Sequence, residues 1–138
     1  MNAGVLGMPS QRIRHFEGDE RSLDTSLGTI VWEHHLGRIP SSHRVVLVNK
    51  TAENGYVPGD EIPAEYFWVG NGTDGNVPPA FAVRVSAQRI SVKIHETAGQ
   101  VRSVTAAVPS APDPNSSVTP TFANWRLKAY WTEIQPVG

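Results

Sequence analysis

Cysteine is absent from the 138-residue chain. That excludes disulfides, cysteine-ligated zinc and thiol nucleophiles, and leaves stability to packing or to association between chains. Long apolar runs are absent as well: nowhere do about 18 apolar residues follow one another, the length a membrane-crossing helix needs. The opening stretch MNAGVLGMPSQRIRHFEGDE has no basic segment leading into an apolar one, so neither a secretion leader nor a membrane span is expected. Surplus charge is missing too. Twelve Lys and Arg against thirteen Asp and Glu give a formal net charge of -1, which offers no electrostatic footprint for nucleic acid or an acidic membrane. No GxSxG, phosphate-binding loop or dinucleotide fingerprint occurs, so enzymatic activity and bound cofactors are not expected.

What the chain does contain is breakers and two-residue alternation. Twelve Gly and eleven Pro are spread so widely that few windows can hold a helix. In Ala80 to Glu96, Phe81, Val83 and Val85 alternate with polar or small residues, and Ile90, Val92 and Ile94 do so again, which predicts strands with one buried face. Trp125, Leu127, Ala129 and Trp131 alternate with Arg126, Lys128, Tyr130 and Thr132 and predict a long amphipathic strand. Thr29 to Glu33, His43 to Lys50, Glu65 to Val69 and Val101 to Ala107 are shorter candidates, and the run Val45 to Val48 suggests a central strand covered on both faces. Thr51 to Ala64, Gly70 to Pro79 and Val108 to Thr121 are rich in Gly, Asn, Asp and Pro and read as surface loops.

About six to eight strands in one domain fit an all-β fold, a single antiparallel sandwich of jelly-roll or immunoglobulin-like topology over residues 25–138. Residues 1–24 differ. Their later part mixes charges with only Ile13, Phe16 and Leu23 as apolar anchors, too little to fold alone. They read as an extended arm held by a neighbouring subunit or by its own domain, the first being preferred. Arg12, Arg14 and Phe16 are its candidate partner-binding residues, because guanidinium groups and aromatics supply much of the energy of interfaces.

Candidate chemistry is sparse. His34, His35 and His43 suggest a metal site, but neighbours in a strand face opposite ways and no HxH or HExxH spacing accompanies them, so no metal is expected. Asp60, Glu61 and Glu65 read as a solvated turn before they read as a glycosidase pair. The stretch Asn71 to Asn76 has one carboxylate and lacks the closing Glu of a calcium loop. For a glycan-binding alternative the candidates are Tyr56, in a loop and expected at the surface, Trp68 and Asp74.

HHLGRIPSSHRVVLVNKTAENGYVPGDEI (His34 to Ile62), QRISVKIHE (Gln88 to Glu96) and NWRLKAYW (Asn124 to Trp131) together resemble small β-sandwich proteins of bacteriophage virions, of the tail-fibre and surface-appendage type. There an HGLG-P-like turn precedes a valine-rich strand, a TAE-GY--GDE-like loop follows, and an NW-like strand closes the domain; here His35 stands where the pattern has glycine. The resemblance spans residues 30–132. It implies a virion structural protein, an accessory subunit of the capsid surface or tail, whose partners are other virion proteins and further copies of itself, a trimer by analogy with such appendages. A fainter likeness to H-type lectin domains, carried by Pro40, Val46, Val48 and the terminal tryptophan strand, implies binding of host-surface glycans.

Overall fold

The computed structural model describes residues 10–23, 29–69, 79–95, 101–104 and 117–137. These residues form strands β1 (Ser10–Glu17), β2 (Arg21–Ser22), β3 (Thr29–Glu33), β4 (Ser42–Asn49), β5 (Glu61–Pro63), β6 (Phe67–Val69), β7 (Phe81–Val85), β8 (Arg89–Ile94), β9 (Val101–Val104), β10 (Ser117–Val118) and β11 (Trp125–Val137). Single 3₁₀ turns at Ala64–Tyr66 and Phe122–Asn124 lead into β6 and β11. All pairings are antiparallel. The fold is the expected all-β sandwich.

One layer is the sheet β1-β11-β4-β5, with β2 also on β11. It is organised by β11, whose alternation places Trp125, Leu127, Ala129 and Trp131 in the core. The other layer consists of the sheets β3-β8-β7 and β10-β9-β6. A bridge between Trp68 and Pro79, with the Ala80 amide donating to the Phe67 carbonyl at 3.1 Å, links the two. Between the layers Phe67 meets Trp125 and Phe81 edge-on, at ring centroids 6.0 and 5.7 Å apart. Each such fully buried side chain contributes about 1.5–3 kcal/mol of hydrophobic stabilisation. Val45 and Leu47 of β4 join this core, while Val46 and Val48 lie buried on the opposite face of the same strand, shielded there by neighbours such as Arg44, Lys128 and Tyr130.

Three expectations need correction. Residues 1–9 and 24 of the arm lie outside the described residues, and the described part is not separate: β1 pairs with β11 residue by residue, from Ser10 opposite Val137 to Glu17 opposite Tyr130, and β2 continues on the same strand. Backbone pairing needs no apolar side chains, and the one large apolar group, Phe16, stacks on Trp131 at 5.8 Å and 12°. Residues 10–22 therefore belong to the sandwich sheet. Between β1 and β2, Gly18 lies against Trp32 of the other layer, whose indole N–H donates to the Asp19 carbonyl at 2.9 Å. Second, the Thr51 to Ala64 and Val108 to Thr121 loops each contain a short strand, β5 and β10. Third, Val83 is not buried with Phe81, and Val85 is only half-buried. Val83 is 42% exposed, because β7 ends its sheet and a cleft of about 450 Å³, lined by His43, Val45, Pro63 and Phe81 among others, opens between the layers there.

Candidate functional site

Strand β1 gathers the residues expected to bind a partner, and it divides their roles. Phe16 is half-buried on Trp131 and serves the chain's own core. Arg12 and Arg14 share its face of the strand, opposite Gln135 and Glu133, and both are exposed. The Arg14 guanidinium lies 5.2 Å from the Phe16 ring centroid, close enough for a modest cation–π attraction. On the opposite face Ile13 stands across from Ile134, and both are exposed, at 57% and 42%. β1 is the terminal strand of its sheet, so β11 uses one row of its amides and carbonyls. Among the described residues no strand pairs with the other row.

Of the glycan candidates, Tyr56 and Trp68 lie among the described residues. Tyr56 is 4% exposed rather than at the surface. Asn54 and Gly55, at φ +53° and +89°, form a two-residue turn that bridges Glu53 to Tyr56, and the tyrosine ring folds beneath it to meet Trp125 edge-on at 5.1 Å. Burial first, and then the charge of Asp60, push its hydroxyl pKa up. Trp68 is half-buried on β6, opposite Arg102, with its indole nitrogen shielded from solvent. Asp74 lies outside the described residues, as does the whole Asn71 to Asn76 stretch.

The histidines and acidic residues carry local structure. His34 is buried; its Nδ1 accepts the Leu36 amide at 3.1 Å, so its proton sits on Nε2 and is donated to the Ser86 carbonyl at 2.8 Å. That ring ties the turn after β3 to the turn between β7 and β8. His35 is exposed with φ +54°, the left-handed conformation that glycine would adopt without strain. His43 lies opposite Trp131 on the core-side face of β4 and is exposed. Among the described residues no three His, Asp or Glu side chains form a group able to hold a metal. Asp60 caps its own turn by accepting the Val57 amide at 2.9 Å. Its neighbour Glu61 accepts the Tyr130 hydroxyl and lies 3.8 Å from Arg44.

Two carboxylates that the sequence reading passed over are more tightly engaged. Glu53 Oε1 accepts the Thr121 amide at 2.9 Å and the Trp125 indole N–H at 2.5 Å, while Oε2 accepts the Asn124 side-chain amide at 3.0 Å. Burial acts to raise its pKa, but these hydrogen bonds together outweigh burial and hold the carboxyl below its ordinary value. Glu133 is 1% exposed and pairs with Arg38, which fastens the turn before β4 to the far end of β11. The signal for Glu53 was the joint presence of the TAE-GY--GDE stretch and the NW pair, which turn out to be hydrogen-bonded to each other. No family model, curated protein or solved structure matches the chain.

Proposed function

We propose that the chain is a non-catalytic structural subunit of a bacteriophage particle, attached to a neighbouring virion protein through the open edge of β1. The phage setting rests on the resemblance carried by residues 30–132. The observation that supports attachment at β1 is its geometry: eight residues held extended by β11, with a row of backbone donors and acceptors that no strand among the described residues pairs, flanked by exposed Arg12, Ile13 and Arg14. A strand so presented is a template for a further strand. Paired arginines disfavour the same strand of a second copy at this edge, so the fitting partner is a strand carrying acidic side chains. Attachment by an edge replaces attachment by a free arm, and the interface residues become Arg12, Ile13 and Arg14, with Phe16 supporting them from behind.

The test is mass spectrometry of density-purified, salt-washed particles from the producing culture. The wild-type protein is expected in a fixed ratio to the major particle proteins, and the double substitution Arg12→Glu/Arg14→Glu is expected to lower that ratio without changing the melting temperature. Absence of the wild-type protein from washed particles overturns the proposal. Undiminished incorporation of the double variant overturns the assignment to β1.

A further inference from the structure

The outer face of the β3-β8-β7 sheet carries a charge pattern that the side chains of the described residues do not neutralise. Antiparallel pairing sets Ala82, Lys93 and Thr29 in one row and Arg84, Ser91 and Val31 in the next, with Arg89 and Glu33 facing each other in the third. Arg84 is thus diagonal to both Lys93 and Arg89, where like charges repel. Three cations share this face with one carboxylate, Glu33, which lies 3.4 Å from Arg89. Arg84 and Lys93 are exposed and have no carboxylate partner among the described residues. The outer face of the other layer is built differently: Lys128 pairs with Glu17 at 3.1 Å, Lys50 with Glu20 at 3.0 Å, and Arg44 lies near Glu61.

Around Arg84 and Arg89 lies a shallow groove of about 310 Å³, lined also by Gln88, Thr29, Ser86 and Ser91 among others. A second groove of about 260 Å³ is lined by Ala82, Lys93 and His95 among others, and Lys93 stands opposite Thr29 of the first groove in the strand register. Guanidinium groups offer forked donors to carboxylate, sulfate or phosphate, and the hydroxyls and amide between them match the hydroxyl density of a sugar ring. The strands are fixed by complete ladders, so little order would have to be imposed on binding. The positions on this face contributed by β3, β8 and β7 include no aromatic residue on which a nucleic-acid base would stack, and the chain has no overall positive charge. We infer that this face binds an anionic saccharide, with Arg84 and Lys93 contacting the acidic group and Thr29, Gln88 and Ser91 contacting ring hydroxyls. The inference stands independently of attachment through β1.

Calorimetric titration of the intact protein tests it, using trigalacturonate, a sulfated heparin tetrasaccharide, maltotriose, inorganic phosphate and a single-stranded oligonucleotide as probes. One or both acidic saccharides are expected to bind and maltotriose is not; which of the two binds separates carboxylate from sulfate recognition. Binding of phosphate alone would show an anion site without saccharide recognition and overturn the inference. Arg84→Gln and Lys93→Gln should each weaken saccharide binding by about tenfold or more, whereas Arg44→Gln on the opposite face should leave it unchanged. Amide chemical shifts of the wild-type protein supply a readout that needs no variant, and the perturbed residues should be those of 29–33, 82–84 and 89–93. No binding by either acidic saccharide, tighter binding by the oligonucleotide, unchanged binding by the Arg84→Gln/Lys93→Gln variant, or perturbations confined to other strands each overturns the inference.

Discussion

Replacing Glu53 by alanine removes an acceptor shared by three donors on the segment that starts β11. The donors differ in what they lose. Trp125 is 1% exposed, so its indole N–H would be left buried without an acceptor, a cost of about 1–3 kcal/mol. The Thr121 and Asn124 groups lie nearer the surface and can turn to water, each losing about 0.5–1 kcal/mol. The expected total is about 3 kcal/mol, equivalent to about 10 °C in melting temperature for a domain of this size. Glu53→Gln keeps one oxygen for the indole and loses chiefly the assistance of the charge, about 1 kcal/mol.

The carboxyl's folded pKa lies below its ordinary value of 4.5, because the hydrogen bonds outweigh the burial that acts against them. A depressed pKa contributes stability that is fully present above the ordinary value and is lost as pH falls through the folded one. The gap between wild type and Glu53→Gln should therefore hold near neutral pH and narrow as pH falls below 4.5. Urea unfolding followed by tryptophan fluorescence at neutral and acidic pH measures both effects. A loss under about 0.5 kcal/mol for Glu53→Ala, or a gap to Glu53→Gln that does not change with pH, would refute the reasoning.

Three further substitutions probe the other turns. His35→Gly should raise stability by about 1 kcal/mol, seen as a higher melting temperature, since it relieves a left-handed residue at φ +54° whose side chain is exposed. Gly18→Ala should cost about 1–3 kcal/mol and alter the near-ultraviolet dichroism, because the added Cβ would lie 2.5 Å from Cδ1 of the buried Trp32. Arg38→Met should cost about 3 kcal/mol by leaving Glu133 buried without its cation, and adding Glu133→Gln should recover most of that loss in a double-mutant cycle by denaturant unfolding.

The strands that could be read from sequence are those in which packing alone decides the alternation. Ile90, Val92 and Ile94, and Trp125 through Trp131, face a core along their whole length, so their period-two pattern is undiluted. β1 escaped notice because an edge strand is held by its ladder. Arg12, Arg14 and His15 are compatible with one paired backbone row, and only Phe16 needs a hydrophobic neighbour. Val83 failed for the complementary reason. It obeys the alternation, but the boundary of its sheet leaves it beside an open cleft, and no local pattern encodes where a sheet ends.

The candidate site was harder to read because the most distinctive residues serve the fold. Glu53, Tyr56, Asn124 and Trp125 form one buried junction: the turn at Asn54 and Gly55 presents the carboxylate to the indole, and the tyrosine ring packs against that same indole. His34 similarly joins two turns through both ring nitrogens, and Asp60 closes the turn that delivers Glu61 to Tyr130. A motif made of such junctions reports how a sandwich is closed and leaves its partner open, because residues engaged with each other offer nothing outward. Recognition is proposed instead for exposed side chains that no motif marks: Arg12 and Arg14 on the terminal strand β1, and Arg84 and Lys93 on a rigid outer face. These two sets lie in different sheets of the sandwich, so the two proposed contacts do not compete for one surface: a neighbour attached through β1 leaves the β3-β8-β7 face accessible to a ligand.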